Sequence, residues 1–206
     1  MDRRTLLRGA LMLPVVGVVQ TLSAQEVKTG KPGSFSACCD CGMMDNPTNK
    51  PVLDASPLEN DTAKYPKCAV CSMDRLKFNH TRHLLHYADG VVQGTCSPRC
   101  ASELMVQERR RKFIGIYGAD FSSSAEIKPL VNVLNATYLV GSKLPGTMTR
   151  VSKVTFATRE SAEQAKELQG GELATFADVV SASFDELSRA IVEKQLTLSS
   201  ESAPKA

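Results

Sequence analysis

Two pairs of closely spaced cysteines flank a predicted β-hairpin, and this pattern constrains the fold more than any other feature of the sequence. The pairs are Cys68-x2-Cys71, just before the segment "HLLHYADGVVQGT", and Cys96-x3-Cys100, just after it. Within that segment two apolar runs are separated by Asp89-Gly90, a dipeptide typical of a two-residue hairpin turn. Two cysteine pairs joined by a longer segment are a frequent arrangement for a tetrahedral four-thiolate zinc site.

The hairpin begins a strand–strand–helix–strand order that occurs twice. In the first unit, "CSPRCASELMVQERRRK" predicts a helix with Ser97 as its cap and Pro98 as its first residue, and "FIGIYGAD" predicts a buried strand. In the second unit, "ATYLVGS" and "VSKVTFAT" predict strands, "RESAEQAKELQGG" a helix closed by glycine, and "ELATFADV" a short final strand. "SFDELSRAIVEKQL" predicts a C-terminal helix, with Ser183 and Glu186 as a capping box. The predicted fold class is α+β with two similar ββαβ units.

The ends of the chain carry predicted processing and linker segments. Residues 1–24 combine Arg3-Arg4 with a short apolar run, which is typical of a twin-arginine export signal. The run is too short for a membrane-spanning helix, so we expect a periplasmic protein without a stable membrane anchor after cleavage. Residues 25–64 predict an extended, proline-containing arm rich in Cys and Met. The first unit is expected over 65–120, the second with the C-terminal helix over 121–198, and a disordered tail over 199–206.

Charge and motifs exclude several functions. The net charge of +3 falls to +1 without the three arginines and one aspartate of residues 1–24, which argues against nucleic acid as a partner. The sequence lacks a nucleophile elbow, a glycine-rich phosphate loop and an evident pair of catalytic acids. We therefore expect a protein that is not an enzyme.

Methionines accompany the cysteines in two places. Met73 follows Cys71 by two residues, and in the arm Met43 and Met44 follow a cluster of three cysteines, Cys38, Cys39 and Cys41. Thioether sulfur is soft and uncharged, so it suits Cu(I) far better than Zn²⁺. The mixture favours a Cu(I) site, with zinc as the possible alternative. His80, His83 and His86 would share a face only on a helix, and their neighbourhood predicts a strand instead.

These residues carry a resemblance to a known family. "KCAVCSMD", "YADGVVQGTCSPRCASELM" and the region around "PGTM" resemble the NosL family, copper-binding accessory proteins of nitrous oxide reductase, over residues 65–180. "TCSPRC" is also similar to the cysteine-rich metal-trafficking modules called TRASH. Serine occupies position 72, where the family usually has glycine, and the arm cysteines go beyond the simplest family pattern.

The resemblance implies a periplasmic Cu(I) chaperone of duplicated ββαβ units. Carried over to this sequence, the copper ligands are Cys71, Met73 and Met148, with a copper-receiving enzyme, nitrous oxide reductase, or its maturation machinery as the partner. Cys68, Cys96 and Cys100 are expected to support this site. Apart from the resemblance, Cys38, Cys39 and Cys41 with Met43 are expected to provide a second Cu(I) site or a zinc site.

Two alternatives remain open from the residues. A four-cysteine zinc protein with a structural or regulatory role would retain Zn²⁺ through purification. A thiol–disulfide oxidoreductase would need a lowered thiol pKa at Cys68 or Cys71, and it would lack the thioredoxin-like βαβ context expected for that role.

Overall fold

Eight strands and four helices lie between residues 52 and 201, the part of the chain that the computed structural model describes; side chains are described for residues 52–197. In chain order these elements are β1 (Val52–Leu53), α1 (Asp61–Lys64), β2 (His83–Tyr87), β3 (Val91–Thr95), α2 (Pro98–Gln107), β4 (Phe113–Ala119), β5 (Leu130–Asn132), β6 (Thr137–Val140), β7 (Lys153–Phe156), α3 (Arg159–Gln169), β8 (Glu172–Ala174) and α4 (Phe176–Glu201). The predicted export signal, the arm ligands Cys38, Cys39, Cys41 and Met43, and residues 202–206 lie outside this range.

The strands form two antiparallel sheets. The first sheet has the order β1-β3-β2-β4-β5, and the second has the order β7-β6-β8. Each sheet contains one ββαβ unit, β2-β3-α2-β4 or β6-β7-α3-β8, in which the first strand is central and the second and third strands flank it. The predicted mixed α and β fold with two ββαβ units and a C-terminal helix is confirmed. The loop between β2 and β3 has three residues, 88–90, and not the two predicted from Asp89-Gly90: the amide of Gly90 donates to Tyr87 O at 3.0 Å, and Gly90 has a φ of 80°, which glycine adopts freely.

The first unit extends further toward the N-terminus than the boundary at residue 65 expected from the sequence. β1 pairs with β3, and Asp61 at the start of α1 is buried. Its carboxylate contacts Arg75 Nη2 at 2.9 Å and Arg82 Nη2 at 2.8 Å, and both arginine side chains are buried. A buried guanidinium needs a partner, so Asp61 belongs to the buried interior of this unit, although most of residues 52–64 are exposed.

The C-terminal helix begins earlier than predicted. α4 starts at Phe176, and Thr175 and Asp178 form its capping box: the Thr175 amide donates to Asp178 Oδ2 at 2.8 Å, and the Asp178 amide donates to Thr175 Oγ1 at 3.3 Å. The predicted capping box at Ser183 and Glu186 is wrong. Ser183 lies inside the helix, where its hydroxyl donates to Val179 O at 2.7 Å. The helical backbone also continues to Glu201, beyond the predicted end at residue 198.

Aromatic side chains join the two units. His83 on β2 is fully buried, and its Nε2 lies 2.9 Å from the hydroxyl of Tyr138 on β6. The His83 ring stacks on both Tyr138 and Phe176, at centroid distances of 6.1 and 6.3 Å.

No helix within residues 52–201 is both long and apolar enough to cross a membrane.

Candidate metal centre

Four thiols from two separate segments meet in one cluster. The Sγ atoms of Cys68, Cys71, Cys96 and Cys100 all lie within 4.8 Å of one another. The distance from Cys71 to Cys96 is 3.4 Å, and Cys100 lies 3.8 Å from each of these two sulfurs. All four are free thiols.

The start of α2 positions one cysteine pair. Ser97 has an extended backbone, with φ −156° and ψ 161°, and its Oγ accepts a hydrogen bond from the amide of Cys100 at 3.2 Å. Pro98 follows as the first helical residue, as predicted. This cap holds Cys96 just before the helix and Cys100 in its first turn, so both side chains reach the same cluster.

A tight loop over residues 67–74 positions the other pair. Lys67 and Asp74 form an isolated antiparallel bridge, and the amide of Cys68 donates to Met73 O at 2.9 Å. The amide of Ala69 donates to Gly94 O at 2.8 Å, which fastens the loop to β3. Ser72 closes the loop in the left-handed region, with a φ of 61°. Glycine adopts this conformation without a steric penalty, whereas the Cβ of a serine carries a steric cost there.

Three of the four thiols in the cluster are buried. Cys68 and Cys96 are 0% exposed and Cys100 is 1% exposed, whereas Cys71 is half-buried. Since three thiols are shielded, Cys71 is the cysteine through which the cluster reaches solvent.

Hydrogen bonds among the thiols lower the pKa of some of the cysteines and raise the pKa of others. Bonds from the Cys100 thiol first, and then from Cys71 and Cys96, lower the pKa of Cys68. The pKa of Cys100 is raised because its thiol is hydrogen-bonded to Cys68, Cys71 and Cys96 and is desolvated by burial. The pKa of Cys71 is lowered as well, first by its hydrogen bond with Cys100. Thiolate character is therefore favoured on the two loop cysteines, and negative charge there attracts a cation.

The distances suit a four-coordinate metal ion. A zinc–sulfur bond of ~2.3 Å in a regular tetrahedron places the sulfur atoms about 3.8 Å apart. Three of the six separations, those among Cys71, Cys96 and Cys100, are 3.4, 3.8 and 3.8 Å and so are close to this value, and all six are within 4.8 Å. Thiolates also suit Cu(I), so the cluster can hold either ion on chemical grounds.

Both predicted methionine ligands lie in segments next to the cluster. Met73 is half-buried and packs against the cysteines. Met148 is 39% exposed, and its carbonyl accepts a hydrogen bond from Arg99 Nη1 at 3.1 Å. Arg99 lies between Cys96 and Cys100 on the chain, so the backbone of the "PGTM" loop is held beside the start of α2.

The comparison with protein families is decisive. A model of the NosL family matches residues 60–184, more than half of the chain. The chain belongs to the NosL family. This confirms the resemblance found from the sequence.

Two solved NosL structures are similar to the chain. The crystal structure of the copper chaperone NosL from Shewanella denitrificans is 23% identical, with a TM-score of 0.47, over 64% of this chain and 95% of that one. The solution NMR structure of the apo-NosL protein from Achromobacter cycloclastes is 17% identical, with a TM-score of 0.33, over 47% of this chain and 82% of that one. No curated protein matches the sequence.

The three histidines of this NosL-family chain do not form a site together. The Nδ1 of His83 lies 3.0 Å from Thr81 O, and its Nε2 bonds to Tyr138, so neither nitrogen is directed at an ion. Desolvation by burial lowers the pKa of His83 to about 4. Among the residues with described side chains, the four cysteines are the only set of three or more Cys, His, Asp or Glu with ligand atoms close enough for a metal.

Two threonines near the site were not predicted from the sequence. The hydroxyl of Thr81 donates to Cys96 O at 2.9 Å and lies 2.7 Å from the hydroxyl oxygen of Thr147. Thr81 thereby joins a cysteine of the first unit to the "PGTM" loop of the second. These residues are 66 positions apart on the chain, and no local motif signals such a contact.

Proposed function

We propose that this chain is a periplasmic Cu(I) metallochaperone that delivers copper to a copper enzyme, with nitrous oxide reductase as the recipient. The observation that carries the proposal is the four-thiol cluster, whose half-buried member Cys71 is followed by the adjacent thioether of Met73. Family membership supports the assignment to copper, because the resemblance identifies NosL proteins as copper accessory proteins of nitrous oxide reductase.

The proposed ligands of the transferable ion are Cys71, Met73 and Met148. One thiolate and two thioethers form a neutral complex with Cu(I), and soft sulfur ligands favour this ion. Cys68, Cys96 and Cys100 surround Cys71, and hydrogen bonds with Cys100 first and then with Cys96 lower the pKa of Cys71 and so stabilise its thiolate. Copper is the cargo here, and its transfer needs no catalytic residue: a ligand of the recipient replaces one sulfur at a time from the side of Cys71.

An anaerobic Cu(I) titration of the wild type and of Met73→Leu tests the methionine assignment. We expect Met73→Leu to lower the affinity for Cu(I), measured by competition with a chromophoric Cu(I) chelator. The matched control is Met105→Leu, because Met105 is a half-buried methionine that packs against the apolar core. Equal affinity and stoichiometry in wild type and Met73→Leu would contradict the proposed ligand set.

A four-cysteine zinc protein is the second candidate, and the sulfur separations favour it. Three of them lie at 3.4–3.8 Å, close to the edge of a zinc–thiolate tetrahedron. Metal analysis of protein purified without air separates the candidates. Stoichiometric zinc that a Cu(I) donor does not displace would favour the zinc protein. The oxidoreductase alternative has the lowered pKa that it requires at Cys68 and Cys71. It lacks the expected fold context, because the named strands in residues 52–201 pair only antiparallel and provide no parallel βαβ unit.

A further inference from the structure

The loop that carries Met148 is held by a charged group on α4. Glu186 Oε2 accepts hydrogen bonds from Thr149 Oγ1 at 2.6 Å and from Lys153 Nζ at 2.7 Å. Its other oxygen, Oε1, accepts from the backbone amide of Arg150. One carboxylate therefore contacts both residues that directly follow Met148.

Lys153 completes this group from the edge strand β7. Its side chain is only 1% exposed, and its Nζ donates to Thr149 Oγ1 at 2.7 Å and to Val151 O at 3.1 Å as well as to Glu186. A buried ammonium group is costly unless it is paired, so Lys153 and Glu186 depend on each other. The pair fixes the loop to α4 and β7 together.

The opposite side of the same loop contacts the metal centre. Arg99, between Cys96 and Cys100, donates to Met148 O at 3.1 Å, and Thr147 contacts Thr81, which donates to Cys96 O. Met148 has a φ of 56°, in the left-handed region that a residue with a Cβ adopts only at a cost in free energy. Contacts on both sides of the loop offset this cost.

We propose that Glu186, together with Lys153, is a positioning residue that presents Met148 to the copper site. This inference rests on the proposed function, because it requires Met148 to bind Cu(I). Thr149 and Arg150 hold the loop from α4, and Arg99 and Thr81 hold it from the cysteine side. The backbone that carries the Met148 thioether is thereby fixed near the start of α2 before the ion arrives, which lowers the entropic cost of closing the site.

The test compares Glu186→Gln with Glu193→Gln. Glu193 contacts the Arg150 side chain at 3.3 Å from the same helix, but no backbone atom of the loop, so it is a matched control. Residues that orient metal ligands contribute roughly 10–100-fold to metal affinity. We expect Glu186→Gln to weaken Cu(I) binding by that factor in the chelator competition, and Glu193→Gln to leave it unchanged.

A double-mutant cycle with Met148→Leu gives a readout that general destabilisation would not mimic. If Glu186 acts through Met148, adding Glu186→Gln to Met148→Leu causes no further loss of affinity. The methyl resonance of Met148 should also shift less on Cu(I) addition in Glu186→Gln than in wild type. Thr149→Val removes the hydrogen bonds of the Thr149 hydroxyl to Glu186, Lys153 and Val151 O but keeps the ion pair, so it tests the same idea if Glu186→Gln folds poorly.

The outcomes separate the two proposals. If Met148→Leu binds Cu(I) as tightly as wild type, the proposed ligand set is wrong. If Met148→Leu weakens binding but Glu186→Gln and Thr149→Val do not, the ligand set stands and the positioning role is overturned. The positioning role is also overturned if Glu186→Gln causes the same additional loss with and without Met148.

Discussion

The two ββαβ units share a frame but differ at one helix terminus. In both, the second strand leads into a helix capped by a hydroxyl: Ser97 Oγ accepts from the amide of Cys100, and Thr158 Oγ1 accepts from the amide of Ser161. In the first unit, cysteines occupy the position before the cap and the position three after it. The corresponding positions in the second unit hold Ala157 and Ser161.

The difference shows that the metal centre is an addition to a repeated fold. In both units a hydroxyl caps the helix, so the residue before the cap and the third residue after it lie close together. Only the first unit has cysteines at these two positions. Only the first unit also follows a loop such as residues 67–74, because a short connection separates β5 from β6 in the second.

Replacing the cysteines of α2 with the residues of α3 should abolish metal binding. The double variant Cys96→Ala and Cys100→Ser gives the first unit the Ala and Ser of the second unit while keeping the Ser97 cap. Because two of the four thiols are removed, we expect the stoichiometric metal to be lost, measured by elemental analysis of anaerobically purified protein. The double variant Ala157→Cys and Ser161→Cys is the control, since no second thiol pair faces those positions. Full metal content in Cys96→Ala/Cys100→Ser would contradict the assignment of the site.

The first unit should also depend on Asp61 for its stability. Asp61→Asn leaves the guanidinium groups of Arg75 and Arg82 buried without a carboxylate, and breaking such a group costs about 3–5 kcal/mol. Urea unfolding of the metal-free, reduced protein measures this loss. Glu163→Gln is the control in the second unit, because its pair with Arg159 is 67% and 48% exposed and contributes less than about 1 kcal/mol. Equal stabilities of the two variants would refute a role of Asp61 in the core.

The junction of the units should respond to pH. Burial lowers the pKa of His83 to about 4, from an ordinary value of 6.5. Between these values the unfolded chain binds more protons than the folded one, so stability is full above pH 6.5 and falls as the pH falls toward 4. A single group with this shift lowers the free energy of unfolding by about 3 kcal/mol over that window. His83→Gln, which keeps a hydrogen-bonding group near Tyr138, should lose less stability over the same range, and an unchanged pH profile would contradict this assignment.

The smallest expected effect on stability concerns the loop over residues 67–74, which precedes β2. Ser72 has a φ of 61°, a conformation that glycine adopts freely. Relief of the steric cost is partly offset by the greater flexibility of glycine in the unfolded chain, so Ser72→Gly should stabilise the protein by about 0.5 kcal/mol. Thermal unfolding of the metal-free protein measures the gain. A decrease in the midpoint would show that the serine side chain contributes more than the backbone strain costs.

The sequence predicted those parts of the molecule that depend on local patterns. A few neighbouring residues determine the turn at Asp89-Gly90, the cap at Ser97 and the spacing of the cysteine pairs. The structure has a turn at Gly90 and a helix cap at Ser97, at the positions expected. The duplicated strand order could be seen for the same reason, since turn residues and apolar runs mark each element. The roles of Cys38, Cys39, Cys41 and Met43 remain predictions, because these residues lie outside the described range.

Contacts between residues that are distant in the sequence could not be predicted from local patterns. Ser183 and Glu186 satisfied the capping-box pattern, but Thr175 and Asp178 satisfy it too, and the packing of Phe176 and Val179 in the core decides in favour of the earlier start. Glu186 instead pairs with Lys153, 33 residues away. The buried group of Asp61, Arg75 and Arg82 was missed for the same reason: each residue taken alone is typical of a solvent-exposed surface.

The unequal exposure of the thiols has a kinetic consequence for any ion held among them. Three of the four thiols are buried, so an ion held among them is most accessible from the side of Cys71 and the exposed Ser72. Small chelators should therefore remove a bound ion faster than bulky chelators of equal strength, because only the small ones approach closely on that side.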